Sequence, residues 1–241
     1  MILGMYYGPV RYGYMFDPTY ILIVIGVLLS VFASLGVNTT FKKYSKVRSA
    51  SGMTGAMAAE RILRSQGIND VVIQHVAGNL TDHYNPSNKT LNLSDATYSS
   101  TSVAAVGVAA HECGHAIQHA KGYAPLSIRS ALVPAANFGS SISWVLIIIG
   151  IVAGGSNLLI KLGILCFSLA VLFQIVTLPV EFNASGRALK LLGNVGILSD
   201  REVAQTRKVL FAAALTYVAS AAAAILQLLR LIILFGGRDR D

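Results

Sequence analysis

Ser102 to His119 reads SVAAVGVAAHECGHAIQH and holds His111, Glu112, Cys113, Gly114 and His115 in the spacing H-E-x-x-H. Ser102 is a capping residue type, no proline lies between it and Gly122, and Gly122 supplies a stop, so the stretch predicts a helix from Ser102 to about Lys121. At 3.6 residues per turn, positions 111 and 115 share one face. Two imidazoles can then reach one zinc ion while Glu112 is directed at water beside it. The chain has five histidines and four glutamates, from which chance assembles this spacing roughly twice in a thousand such sequences. Two core histidines satisfied by hydrogen bonds are a poor account of such a pair.

A catalytic zinc usually takes three protein ligands and keeps one position open. His119 lies too far along an unbroken helix, about 12 Å from the level of His111, to share a metal with it. A carboxylate is the other solution. Glu60 falls on an amphipathic stretch with its side toward water, and Glu202 suits a capping box with Ser199. Glu181 stands just after an apolar span, in LPVEFNAS, and is the expected third ligand. Its competing role is an interfacial carboxylate paired with Arg187.

Working outward, 54% of the chain is hydrophobic and only 12% charged, about half the charge of a soluble domain. Four stretches are long and apolar enough for the hydrocarbon core: about 20–37, 138–154, 158–178 and 209–235. The first is expected to be retained, since Arg11 and Asp17 precede a full-length span with no small-residue cleavage site after it. The net charge of +8 comes from Lys and Arg flanking apolar spans, which is a topology signal and not a nucleic-acid surface. Cys113 and Cys166 are too few for a disulfide framework.

Lys42, Lys43, Lys46 and Arg48 follow the first span, and Arg201, Arg207 and Lys208 precede the fourth. The positive-inside rule puts both loops in the cytoplasm, leaving the N-terminus and the tail with Arg238 and Arg240 outside. The second and third spans form a hairpin, so the pieces on either side of it, about 50–122 and 179–208, emerge on one side. His111 and Glu181 can then share a site. The expected architecture is a single, mainly α, integral membrane protein over 1–241. Its four transmembrane helices carry a small zincin-like unit of helix, β-hairpin and active-site helix. Ser51 or Thr54 caps the first of these helices, which stops at Gly67, and Val71–Val76 and Thr90–Leu93 supply strands around the turn at Asn85–Asn88. The Ala221–Ala224 run of the last span reads as a close-packing helix face.

The sequence resembles the YugP-type neutral zinc metallopeptidases, membrane proteins of bacteria and archaea. The resemblance rests on Leu80–Pro86 (LTDHYNP), Ser102–His119, Leu178–Ser185 (LPVEFNAS) and Ala212–Val218 (AAALTYV), the second and third being the specific ones. More distantly it is similar to the HtpX-type and CAAX prenyl proteases. The resemblance implies one zinc ion per chain and a ligand at Glu181. Related enzymes carry an Asp four residues after that Glu to orient a ligating His. Here Ser185 stands at that position with Asn183 nearby, which leaves open which of them makes the hydrogen bond.

The expected activity is hydrolysis of peptide bonds in membrane-associated or unfolded proteins at the cytoplasmic membrane surface, with Glu112 as general base. His83 or Tyr84 is a candidate for steadying the oxyanion or the substrate. The expected partners are a peptide substrate and the lipid bilayer, with no nucleic acid, and oligomeric state has no signal in the sequence. The rival reading is a zinc-binding structural or sensor protein without turnover, which would have no need of a base at Glu112. A transporter is disfavoured by the scarcity of ionisable residues within the spans.

Overall fold

The computed structural model describes residues 17–236. The N-terminal segment with Arg11 and the tail with Arg238 and Arg240, expected on the outer side, lie outside the described residues. In chain order come α1 (Tyr20–Tyr44), α2 (Gly55–Ser65), β1 (Val72–Val76), β2 (His83–Asn85), β3 (Thr90–Ser94), α3 (Val103–Ala120), α4 (Ala124–Val152), α5 (Asn157–Asn194) and α6 (Asp200–Phe235).

Four of these, α1, α4, α5 and α6, are long and apolar enough to cross a membrane, and they keep large apolar side chains outward. Phe32 is 68% exposed, Phe138 70% and Leu158 69%. That pattern suits lipid, where an apolar surface has no cost. α4 and α5 form an antiparallel hairpin, α6 packs on α5, and α1 packs on α6. Small residues set these crossings. A Cβ at Gly26 of α1 would come within 3.1 Å of the Ala223 side chain, and one at Gly163 would meet the Ser143 carbonyl at 2.8 Å. The alanine run of α6 thus receives α1 at close range, as small-residue packing in membranes requires.

The helices outrun the apolar stretches that reveal them. α5 has 38 residues, about 57 Å at 1.5 Å per residue, and does not stop at Pro179. α4 begins at Ala124 instead of near residue 138, and α6 at Asp200 instead of near 209. Hydropathy marks the part of a helix that lipid would surround, whereas the backbone ladder continues wherever caps and tertiary contacts support it. Glu181 therefore lies on a continuous helix and not in a loop.

These extensions hold the small unit. Its core joins Ile62 of α2, Leu91 and Leu93 of β3, Val106 and Ile117 of α3, and Leu192 of α5, each essentially inaccessible. Burial of such a side chain stabilises by about 1.5–3 kcal/mol. The expected caps form: Thr54 accepts from Met57 N–H at 3.2 Å, Ser102 from Ala105 N–H at 3.2 Å, and Ser199 and Glu202 close a capping box. Glu202 also accepts from Ala50 N–H at 2.6 Å, tying the start of α6 to the entry of the unit.

The sheet order is β1-β3-β2. The two stretches expected to face each other as hairpin arms, β1 and β3, are parallel neighbours. The hairpin is β2–β3, with His83 opposite Asn92 and Asn85 opposite Thr90. Alternation in sequence reveals strands but not their partners, and residues 77–82 are long enough to carry the chain back past β3. Asp82 anchors that return, since its carboxylate accepts from Ser94 N–H and Ser94 Oγ, both at 2.8 Å. β2 consequently becomes the edge facing α3.

Candidate active site

α3 runs through the centre of the unit with Glu112, Cys113, Gly114 and His115 all buried. Gly114 has a geometric reason. A Cβ there would lie 2.6 Å from the Ala184 carbonyl oxygen of α5, so only glycine lets α5 approach this turn of α3. That contact draws Glu181, one helical turn before Ala184, onto the His111/His115 face.

The ligand atoms of His111, His115 and Glu181 lie within 4.8 Å of one another. His111 Nε2 and His115 Nε2 are 3.2 Å apart, and Glu181 Oε2 is 3.2 Å from the first and 3.6 Å from the second. Tetrahedral zinc with bonds of about 2.05 Å spaces its ligands about 3.3 Å apart. Glu181 Oε2 is also buried without a hydrogen-bond partner. The three atoms are clustered at the spacing of ligands around one ion, and a carboxylate with two imidazoles is a donor set that zinc accepts. The residues present fit the metal.

The outer nitrogens are held. His111 Nδ1 lies 3.1 Å from Ser185 Oγ, and His115 Nδ1 lies 3.0 Å from Gln118 Oε1. Gln118 Nε2 donates to the Val180 carbonyl at 2.8 Å and to Asn183 Oδ1 at 3.0 Å, while Asn183 Oδ1 also takes Arg187 Nε at 2.7 Å. A backbone carbonyl can only accept, so the Gln118 amide nitrogen must face Val180 and its oxygen must face His115. His115 then carries its proton on Nδ1 and presents a lone pair at Nε2. Burial lowers the pKa of His115, but Glu181, Glu112 and Gln118 outweigh it and raise it overall. Burial pushes the neighbouring Cys113 thiol well up, so it remains a neutral packing group.

Glu112 Oε2 accepts from the Tyr84 backbone N–H of β2 at 2.9 Å. Glu112 lines two cavities, one with Arg129, Glu181 and Tyr217 and another with His111, Phe41 and Val209. His83 and Tyr84 border the first, with their polar side-chain atoms engaged elsewhere. His83 Nδ1 is 2.9 Å from Thr81 O and Nε2 is 3.1 Å from Asn92 Nδ2. Tyr84 Oη bonds His119 Nδ1 at 2.8 Å. His119 thus belongs to Tyr84 and lies outside the cluster of three. Glu60 pairs with Arg64 on the surface, and Arg187 serves Asn183 and not Glu181.

The family described as "Putative neutral zinc metallopeptidase" matches residues 19–236. The chain belongs to this family. It is similar to "Putative membrane protease YugP" of Bacillus subtilis (strain 168), with 46% identity over 214 residues covering 88% of this chain and 95% of that protein. No solved structure matches it.

Within that family setting, three neighbours of the site have no clear mark in the sequence. Gln118 was detectable in principle, since it stands three residues after His115 on one helix face. Tyr217 falls inside the AAALTYV stretch, but nothing local connects it to Glu112 and Glu181, beside which it stands. Arg129 had no spacing signal, because α4 brings it to the site by tertiary folding alone.

Proposed function

We propose that this chain is a zinc-dependent endopeptidase in which His111, His115 and Glu181 hold one zinc ion per chain and Glu112 is the general base. The observation that carries the reading is the convergence of three ligand atoms from two distant segments beside a carboxylate that is not one of them. Zinc bound there supplies a Lewis acid and water of lowered pKa. Tyr84 N–H holds Glu112 at Oε2, which leaves Oε1 to accept the proton of the attacking water and return it to the leaving amine. Ser185 and Gln118 keep the two imidazoles in the ligating orientation, and the bond from His115 Nδ1 to Gln118 makes Nε2 the nitrogen that would face the metal.

The end of α1 that borders the site carries Lys42 and Lys43, which by the positive-inside rule supports a cytoplasmic location in the cell membrane. A site walled by membrane helices at that surface suits membrane-associated or unfolded protein substrates.

The full-length chain with Glu112→Gln is expected to retain zinc by elemental analysis and to lose peptide cleavage by about 10²- to 10⁴-fold. Unchanged turnover would remove Glu112 from the mechanism.

A further inference from the structure

Glu112, with Asp82 and Tyr217, lines two neighbouring cavities that differ in the rest of their walls. One, about 240 Å³, has an apolar wall of Val37 and Phe41 from α1 with Val209, Leu210 and Ala213 from α6. The other, about 390 Å³, contains Arg129 and Ser130 of α4. Arg129 is poorly satisfied for a guanidinium in such a place. Its Nε is buried with no hydrogen-bond partner. Its nearest carboxylate oxygen, Glu181 Oε1, stands 3.9 Å from an Nη, beyond hydrogen-bonding range. Its Cζ lies 5.9 Å from the centre of the Phe173 ring, and the side chain is 31% exposed. An arginine fork offers five donors in a shape that matches a carboxylate.

The other acids of this cavity leave Arg129 Nε without a partner. Asp82 gives both oxygens to Ser94. Glu112 and Glu181 together carry two negative charges, which a divalent ion at the proposed centre offsets. Asp82 keeps its own negative charge, so the three carboxylates balance the divalent ion and Arg129, and what Arg129 offers an entering group is an unpartnered donor rather than a net charge.

We propose that Arg129 is a specificity-determining residue that receives a carboxylate of the peptide, while the apolar cavity across Glu112 takes an apolar side chain. This rests on the peptidase reading above and names the substrate class of the same site: peptides carrying an apolar residue on one side of the cleaved bond and a carboxylate on the other. That carboxylate is either an acidic side chain or the free C-terminus of a short peptide.

The test uses zinc-loaded full-length protein in detergent and quenched fluorescent peptides with a leucine fixed on one side of the cleaved bond. One arm compares Glu with Gln on the other side, in both orientations. The second arm compares a free C-terminus with its amide. Wild-type protein is expected to favour the carboxylate form by about tenfold or more in kcat/KM, the scale of one charge-assisted hydrogen bond. In Arg129→Gln that ratio is expected to fall to about one, and the arm in which this occurs names the source of the carboxylate. Equal rates for carboxylate and amide forms with wild-type protein would overturn the proposal while leaving the peptidase reading intact. Loss of zinc from Arg129→Gln, with Arg129→Lys restoring zinc and an unaltered ratio, would also overturn it and make Arg129 a support for Glu181. Failure of zinc-loaded wild-type protein to cut any of the peptides would sink the peptidase reading itself.

Discussion

α3 and α5 contribute to the same cluster of candidate metal ligands by different physics. On α3, His111 and His115 are neighbours because a helix repeats every 3.6 residues, and any helix carrying them would align them. On α5, Glu181 has no such local relation to either histidine. It arrives because Gly114 leaves room for the Ala184 backbone and because Gln118 of α3 bonds the Val180 carbonyl and the Asn183 side chain of α5. The histidine pair is thus a property of one segment, and the centre as a whole is a property of a helix crossing. A site built this way is sensitive to the crossing as well as to the ligands.

The sharpest way to break this comparison is to remove the α5 ligand and the α3 histidine that the crossing leaves out. Glu181→Ala is expected to lose stoichiometric zinc on dialysis, whereas His119→Ala, whose ring bonds Tyr84, is expected to keep it. Elemental analysis decides, and zinc lost from the His119 variant alone would overturn the ligand set.

Gly114→Val tests the crossing without touching a ligand. The added side chain must displace α5, with a destabilisation of about 1–3 kcal/mol from overpacking and a clear drop in zinc affinity by competition with a chromophoric chelator. Wild-type affinity in a folded Gly114→Val protein would show that α5 need not approach this closely.

A smaller effect is expected from Gln118→Ala, which frees the His115 ring. Loss of such a supporting hydrogen bond lowers metal affinity by about 10- to 100-fold, and the same titration reads it. A Gln118→Glu variant that matched the alanine variant would argue that the hydrogen bond to His115 is not what matters.

The mildest change is Ser102→Ala at the start of α3, where a lost cap costs about 1 kcal/mol. Denaturant unfolding should register it with zinc affinity unchanged, because the pairing of His111 with His115 depends on helical periodicity and not on the cap.

Much of this was legible from residue types. Ser102, Thr54 and Ser199 cap helices because a short side-chain oxygen satisfies exposed N–H groups in any context. The four apolar runs announce membrane helices by length and composition. The strand partners were not legible, since β1 and β3 alternate equally well in parallel or antiparallel pairing, and the tie of Asp82 to Ser94 joins residues that no alternation pattern links. Helix ends were illegible for a similar reason. Apolar content falls off near residue 178, yet the α5 backbone continues to Asn194 because Ala184, Ala188 and Leu192 bury against the small unit.

The sequence by itself determined the membrane class, the helix carrying His111, Glu112 and His115, and Glu181 as the carboxylate to expect, because composition, periodicity and exclusion act locally or by counting. Only the tertiary structure decided that Ser185 meets His111 and that Gln118, not Asn183, meets His115. It alone set Tyr84 N–H against Glu112 and brought Arg129 and Tyr217 to the cleft. These contacts join residues far apart in the chain, and their geometry exists only once the helices have crossed and the side chains have packed at the density of a folded interior.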